Sequence, residues 1–167
     1  FPYLKIKNRI PELVKKLRAE QNKFVWFKAA SALMTTDTRP KVAYEETKIG
    51  NKSIKISGIA KGSGMIAPNM ATMLAMIFTD GNIPSVFLKY ILKKAIATTF
   101  NAITVDSDQS TNDSVFLFAT GKVKHGKIYN ALDPKLQDFE KALHRLCLNL
   151  AKQIVVDGEG AKKFITV

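Results

Sequence analysis

The apolar positions of this chain recur at helical spacing in some stretches and alternate or run together in others. The switches between these patterns divide it into elements. In residues 11–20, Leu13, Val14 and Leu17 share one helical face, and Pro11 suits a first turn, where its missing N–H costs no hydrogen bond. Residues 22–34 form a second helical pattern, with Phe24, Phe27, Ala30 and Leu33 or Met34 on one side and Trp26 as a packing residue. A polar run then ends at the helix breaker Pro40. Residues 41–47 and 52–59 predict two strands around Gly50-Asn51, with Ile54, Ile56 and Gly58 facing one way and Lys55 and Ser57 the other. Residues 72–78 are almost wholly apolar and predict a strand covered on both faces, stopped by residues 79–82. Ser85 is placed to cap a helix over 86–99, with Phe87, Leu88, Ile91, Leu92, Ala95 and Ile96 buried. Residues 101–105 and 114–119 read as further strands, and Gly121 as a turn. Pro134 opens a long helix to about Ile154, with Phe139, Leu143, Leu146 and Leu150 as its core stripe. A loop at 157–160 precedes the start of another strand at 164–167. No internal repeat or low-complexity linker interrupts this order.

Composition narrows the picture. The 167 residues fit one domain with a sizeable core, and a hydrophobic share of 46% is that of a globular protein. No apolar stretch has the length of a membrane span and no secretory signal is visible, which predicts a soluble protein. A chain that opens on Phe1 rather than Met suggests that its true beginning lies elsewhere. Cys147, the single cysteine, falls within the helical stripe and reads as a core thiol, consistent with a reducing, cytoplasmic setting. His125 and His144 have no zinc-ligand spacing, so no metal is expected. The net charge of +12 is concentrated in residues 1–71, which carry 14 basic and 5 acidic side chains. Only 4 of the 26 basic residues are Arg and the lysines are scattered, which disfavours nucleic acid and favours solvated faces that also attract carboxylate substrates.

The candidate chemistry lies in the loops. Lys61-Gly-Ser-Gly-Met-Ile-Ala-Pro-Asn-Met-Ala-Thr72 is a glycine-flexible basic loop that enters an apolar run at Ala71-Thr72. Thr72 there is either ordinary strand filler or a nucleophile. If the bond before it were cut, its own amine, titrating at about 7.7–8.0, would serve as the base. The polar stretch Asp106–Asp113 fails as a calcium loop, because Thr111 and Leu117 occupy the places of the obligatory glycine and glutamate. Side chains that bond their own backbone into turns explain it better. Glycines 62, 64, 158 and 160 match no complete nucleotide-binding motif. Glu159, between two glycines, is either a solvated turn residue or a carboxylate placed to meet an amine or relay protons.

Four stretches, in order, carry a resemblance. Lys61–Leu74, Met34–Lys41 (MTTDTRPK), Phe100–Asp113 (FNAITVDSDQSTND) and Asp157–Ile165 (DGEGAKKFI) closely resemble the motifs of the arginine-biosynthetic ornithine acetyltransferase/N-acetylglutamate synthase family. Ser107 stands where that pattern has Gly, and Lys162 where it has Thr. The resemblance implies a layered α/β fold with mixed sheets between helices, and a single partial domain over residues 1–167. It implies self-cleavage between Ala71 and Thr72, with Thr72 then acting as an N-terminal nucleophile that takes acetyl from N-acetylornithine and passes it to glutamate. By position, Lys61 and Thr35 would bind substrate, with Thr36 as the alternative to Thr35, and Glu159 would contact the substrate's amino end and assist proton transfer. No cofactor is implied, although some members use acetyl-CoA as acetyl donor. A hetero- or homo-oligomer of cleaved chains is expected. Members of the family are about twice this length, with an oxyanion-hole Thr-Gly pair just before the part matching Phe1-Pro2 and further substrate contacts beyond Val167. An isolated chain of this extent is therefore expected to stay intact or cleave slowly. The alternatives left open are an inactive remnant acting as an assembly or binding module, and an autoprocessing amidohydrolase that releases its acyl group to water.

Overall fold

A computed structural model describes residues 2–17, 23–67, 73–108 and 113–167. Strands β1 (Lys41–Ile49), β2 (Lys52–Lys61), β3 (Leu74–Gly81) and β4 (Ser114–Val123) form one mixed sheet in the order β1-β2-β3-β4. The first two pairings are antiparallel and β3–β4 is parallel. Helices α1 (Tyr3–Lys16), α2 (Lys23–Leu33), α3 (Ser85–Ala97) and α4 (Gln137–Val156), with 3-10 turns at Phe100–Ala102 and Pro134–Leu136, complete the described elements. The α/β class expected from the sequence holds, as one sheet with helices on both faces. Among the described residues no helix is long and apolar enough to cross a membrane.

One face of the sheet is sealed by α4 and, beside it, α3. The stripe Phe139, Leu143, Leu146, Leu150 is fully buried, together with Ala142, Cys147 and Ile154. It meets Ile54, Ile56, Ala75 and Ile77 from alternate positions of β2 and β3. Each large apolar side chain buried there stabilises the fold by about 1.5–3 kcal/mol. Burial pushes the Cys147 thiol up to about 12, so it stays a protonated core residue. The hairpin prediction also holds, since Ile54, Ile56 and Gly58 point into this core.

The other face is only partly covered. Positions of β3 alternate between buried and half-buried, so the expected double coverage is incomplete. Trp26 of α2 lies on Phe78 at 5.5 Å, and Phe78 stacks on Phe118 at 5.1 Å across the parallel pair. Phe116 and Phe118 remain about half exposed on this face.

Several expectations are corrected. The first helix starts at Tyr3, carries Pro11 inside it and buries none of its residues. In α2, Ala30 is the buried residue while Phe24 and Phe27 are exposed. The sheet lies under Trp26 and Ala30, and a single apolar stripe does not describe a helix with apolar residues on most sides. Pro84, not Ser85, occupies the cap position of α3, and no side chain caps that end. Residues 101–105 are not a strand. A 3-10 turn at Phe100–Ala102 leads into irregular backbone whose Val105 N–H bonds the Ile66 carbonyl of a loop. Strand β3 runs on through Gly81. Gly121 does not end β4. It takes a left-handed conformation (φ 62°) at a register shift, and the strand continues to Val123. Residues 164–167 form no strand.

Candidate active site

Three loops from distant parts of the sequence meet at one end of the sheet, and a buried ion cluster joins two of them. Lys41, the first residue of β1, is wholly buried, and its Nζ donates to Asp37 Oδ1 at 2.7 Å and to Asp157 Oδ2 at 2.6 Å. Asp37 also accepts the N–H groups of Thr35 (3.1 Å) and Gly62 (2.7 Å). Asp157, at the C-terminal end of α4, accepts the Thr38 N–H at 3.0 Å and the Thr38 hydroxyl. Burial alone would raise both carboxyls. The Gly62 N–H and Lys41 outweigh it at Asp37, holding that group below its usual value, and Lys41 with Thr38 brings Asp157 to about 2. Both therefore stay ionised at neutral pH.

The site side chains stand around this cluster. Lys61 ends β2, and its Nζ lies 3.4 Å from Thr35 Oγ1. Thr36 turns instead to Ser63, hydroxyl to hydroxyl at 2.7 Å, so Thr35 is the threonine beside Lys61. The Glu159 N–H donates to the Ser63 carbonyl at 2.7 Å, bringing the third loop against the glycine loop. There the Glu159 carboxylate lies over Gly64. A Cβ on that residue would stand 2.9 Å from Glu159 Oε2, so a larger residue there would displace the carboxylate from this position. The adjoining Met65 is held at φ 54°, a left-handed conformation uncommon for methionine. Asp106 secures it by accepting the N–H groups of Met65 (2.5 Å) and Ile66 (2.9 Å). Burial opposes charge on Asp106, but these two bonds and that of Asp108 hold it below its usual value.

Asp113 reaches the same end from β4. Its Oδ1 accepts the N–H of Met73, the residue directly after Thr72. Its Oδ2 is buried and has no hydrogen-bond partner among the described residues. Burial raises this carboxyl, against the Met73 bond and the charge of Lys61. Ala71 and Thr72, the expected cleavage pair and nucleophile, lie outside the described residues.

The structure thus brings Thr35, Lys61 and Glu159 to one loop cluster. A groove of about 480 Å³ lies elsewhere, between α3 and α4. Among its lining residues Lys94 bonds Glu140 at 2.8 Å, Thr98 bonds His144 at 3.0 Å, and Arg145 bonds Glu45 of β1 at 2.8 Å.

A model of the ArgJ family matches residues 1–167. The chain belongs to the ArgJ family. It is 49% identical over 163 residues to the arginine biosynthesis bifunctional protein ArgJ of Caulobacter vibrioides, covering 98% of this chain and 40% of that one. The ArgJ proteins of Brucella suis and Neisseria meningitidis are 51% and 52% identical over 145 and 143 residues, each covering 85% of this chain and 35% of its own. The chain therefore spans about two fifths or less of the length of these relatives. It also superposes on the PH0078 protein of Pyrococcus horikoshii with a TM-score of 0.48 and 13% identity, over 71% of this chain and 40% of that one.

Sequence reasoning missed Lys41, Asp37, Asp157, Asp106 and Asp113 as residues that build the ArgJ-family loop cluster. All five lie inside the motif stretches, and the available signal was acidic residues beside glycine-rich or turn-forming segments. Spacing gave no indication that Asp157 answers a lysine 116 positions earlier.

Proposed function

We propose that the intact protein transfers acetyl from N-acetylornithine to glutamate in arginine biosynthesis, through Thr72 freed by cleavage after Ala71. Membership of the ArgJ family supports the reaction class. The observation that carries the residue assignment is the convergence of Thr35, Lys61 and Glu159 on the glycine loop that leads to Thr72.

In self-cleavage the Thr72 hydroxyl adds to the Ala71 carbonyl, the peptide C–N bond breaks, and the nitrogen takes the proton. Water then hydrolyses the resulting ester, leaving Ala71 as a carboxylate and Thr72 with a free amine. In the first half-reaction the Thr72 hydroxyl, losing its proton to that amine, adds to the acetyl carbonyl. The ornithine amine departs after taking up a proton. In the second, the glutamate amine adds to the acetyl ester, gives up a proton and releases Thr72. Lys61 presents a point charge for the α-carboxylate that both amino acids share, with Thr35 beside it. In this reading Glu159, whose carboxylate lies over Gly64, holds the amino end and moves protons at it. In this reading the protein acts in the cytoplasm and needs no cofactor.

Cleavage at that bond would leave β2 and β3 on separate polypeptides. They would stay joined by the antiparallel register from Ile56↔Thr79 to Lys61↔Leu74, so the working unit is an oligomer of cleaved chains. The test is to measure the mass of the intact protein and both half-reactions in three variants. Thr72→Ala should abolish cleavage and transfer. Lys61→Ala should raise KM for N-acetylornithine and glutamate alike, and Glu159→Gln should slow transfer about 10²–10⁴-fold. Cleavage and turnover that persist in Thr72→Ala would refute the mechanism.

A further inference from the structure

We propose that Lys41 is a positioning residue for this reaction, its buried ammonium tying Asp37 to Asp157 and so fixing the Thr35–Lys61 side of the site relative to Glu159. The proposal rests on the acetyl-transfer reading above and deepens it, because none of the three ionic residues is itself placed to touch substrate.

The geometry distinguishes this cluster from an ordinary ion pair. The side chains of Lys41, Asp37 and Asp157 are all no more than 1% exposed. A buried ion pair is weak evidence for stability as such, since well-packed apolar groups often serve as well. What apolar groups lack is direction. Here the carboxylates spend their remaining acceptor capacity on the loops that carry the site side chains. Asp37 takes the N–H of Thr35 itself and of Gly62, the neighbour of Lys61. Asp157 takes Thr38 on one loop and stands two residues before Glu159 on the other. Arg39 approaches Asp157 at 3.5 Å from the solvent side, so two cations face two carboxylates. Removal of the Lys41 ammonium leaves both buried carboxylates facing one vacated position. Their repulsion pushes apart the two loops that the ammonium had joined.

The test uses the intact protein with Lys41→Met, which keeps an unbranched stem and removes the charge. Leu146→Ala, in the core away from the loops, serves as the control for lost stability. Kinetics are measured well below each variant's own melting temperature. We expect Lys41→Met to raise KM at least tenfold for both N-acetylornithine and glutamate and to lower kcat about tenfold, while Leu146→Ala keeps wild-type constants. Amide hydrogen exchange supplies a readout independent of activity. In Lys41→Met the Gly62 and Glu159 amides should exchange at least tenfold faster together, and in Leu146→Ala they should not separate from the rest of the fold. Wild-type KM and kcat in folded Lys41→Met, or unchanged exchange at Glu159, would overturn the proposal. If Lys41→Met does not fold, Asp157→Asn, which keeps an acceptor for Thr38, is judged by the same two criteria. A wild-type protein without acetyl transfer would sink the functional reading alone, and the exchange result would still decide the role of Lys41.

Discussion

The sheet face under α4 and the Lys41–Asp37–Asp157 cluster in the loops at the strand ends are both buried, yet they are held by different forces. Under α4 the contacts are apolar and non-directional, with Phe139, Leu143, Leu146 and Leu150 interlocked with Ile54, Ile56 and Ile77. Such a surface sets how tightly helix and sheet adhere, and adjusts when one side chain changes. In the loop cluster the contacts are charged and directional, from Lys41 to Asp37 and Asp157 and from these onto named backbone N–H groups. That surface sets where Thr35, Lys61 and Glu159 stand. One region supplies most of the stability and the other the geometry, and the two respond differently to substitution and to pH.

The largest expected effect falls on the apolar side. Leu146→Ala should lower unfolding free energy by about 2–5 kcal/mol, through lost transfer energy and the cavity left against the sheet. Urea unfolding followed by circular dichroism measures it. The comparison breaks if this substitution costs less than about 1 kcal/mol, because the face under α4 would then not be the main source of stability.

The same division explains what the sequence could reveal. The stripe on α4 was readable because a 3.6-residue period and a single buried face coincide. The β1–β2 hairpin was readable because alternation and a glycine turn agree. Residues 101–105 misled because Ile103 and Val105 alternate like a strand, while the backbone there finds its partner in a loop carbonyl. Residues 164–167 misled similarly, being apolar and partly β-branched with no ladder formed. In the site, Thr35 was reached only through ordered motifs shared with a family, whereas the Lys61 loop and Glu159 also stood out by their flanking glycines. Lys41 looked like the first residue of a strand. Its meaning lies in contacts with carboxylates 4 and 116 positions away, and no local pattern encodes the longer one.

An intermediate effect should appear on the charged side as pH falls. Asp157 has a folded value of about 2, below its ordinary value, and Asp37 is shifted the same way. A carboxyl depressed in the folded state contributes stability that is full above its unfolded value and lost as pH drops toward the folded one. Stability should therefore fall between about pH 4 and pH 2, with Asp157 accounting for about 2 kcal/mol. Asp113 acts with the opposite sign, since its raised value means that protonation relieves a buried charge, and it softens the fall. Asp157→Asn should flatten the acid limb, whereas Leu146→Ala should lower the whole curve without changing its slope. Parallel acid limbs in wild type and Asp157→Asn would remove the charged cluster from the account of acid stability.

The smallest effect tests whether the loops hold strain that the core does not. Ser107 takes a left-handed backbone conformation (φ 66°) beside Asp106, at the position where the resembling motif has glycine. An L-residue held there costs about 1–2 kcal/mol against glycine, because its Cβ crowds the following carbonyl. Glycine gives back part of that gain through the greater freedom of its unfolded chain, about 0.4–1 kcal/mol. Ser107→Gly should therefore stabilise the protein modestly, by about 0.5–1 kcal/mol. It should leave the acid limb unchanged, because Asp106 keeps its bonds to the Met65 and Ile66 N–H groups. The shift of the urea midpoint at constant slope measures it. A destabilised Ser107→Gly would mean that the serine side chain supports the loop more than its backbone conformation costs, and that the strain assigned to this side of the comparison is already offset.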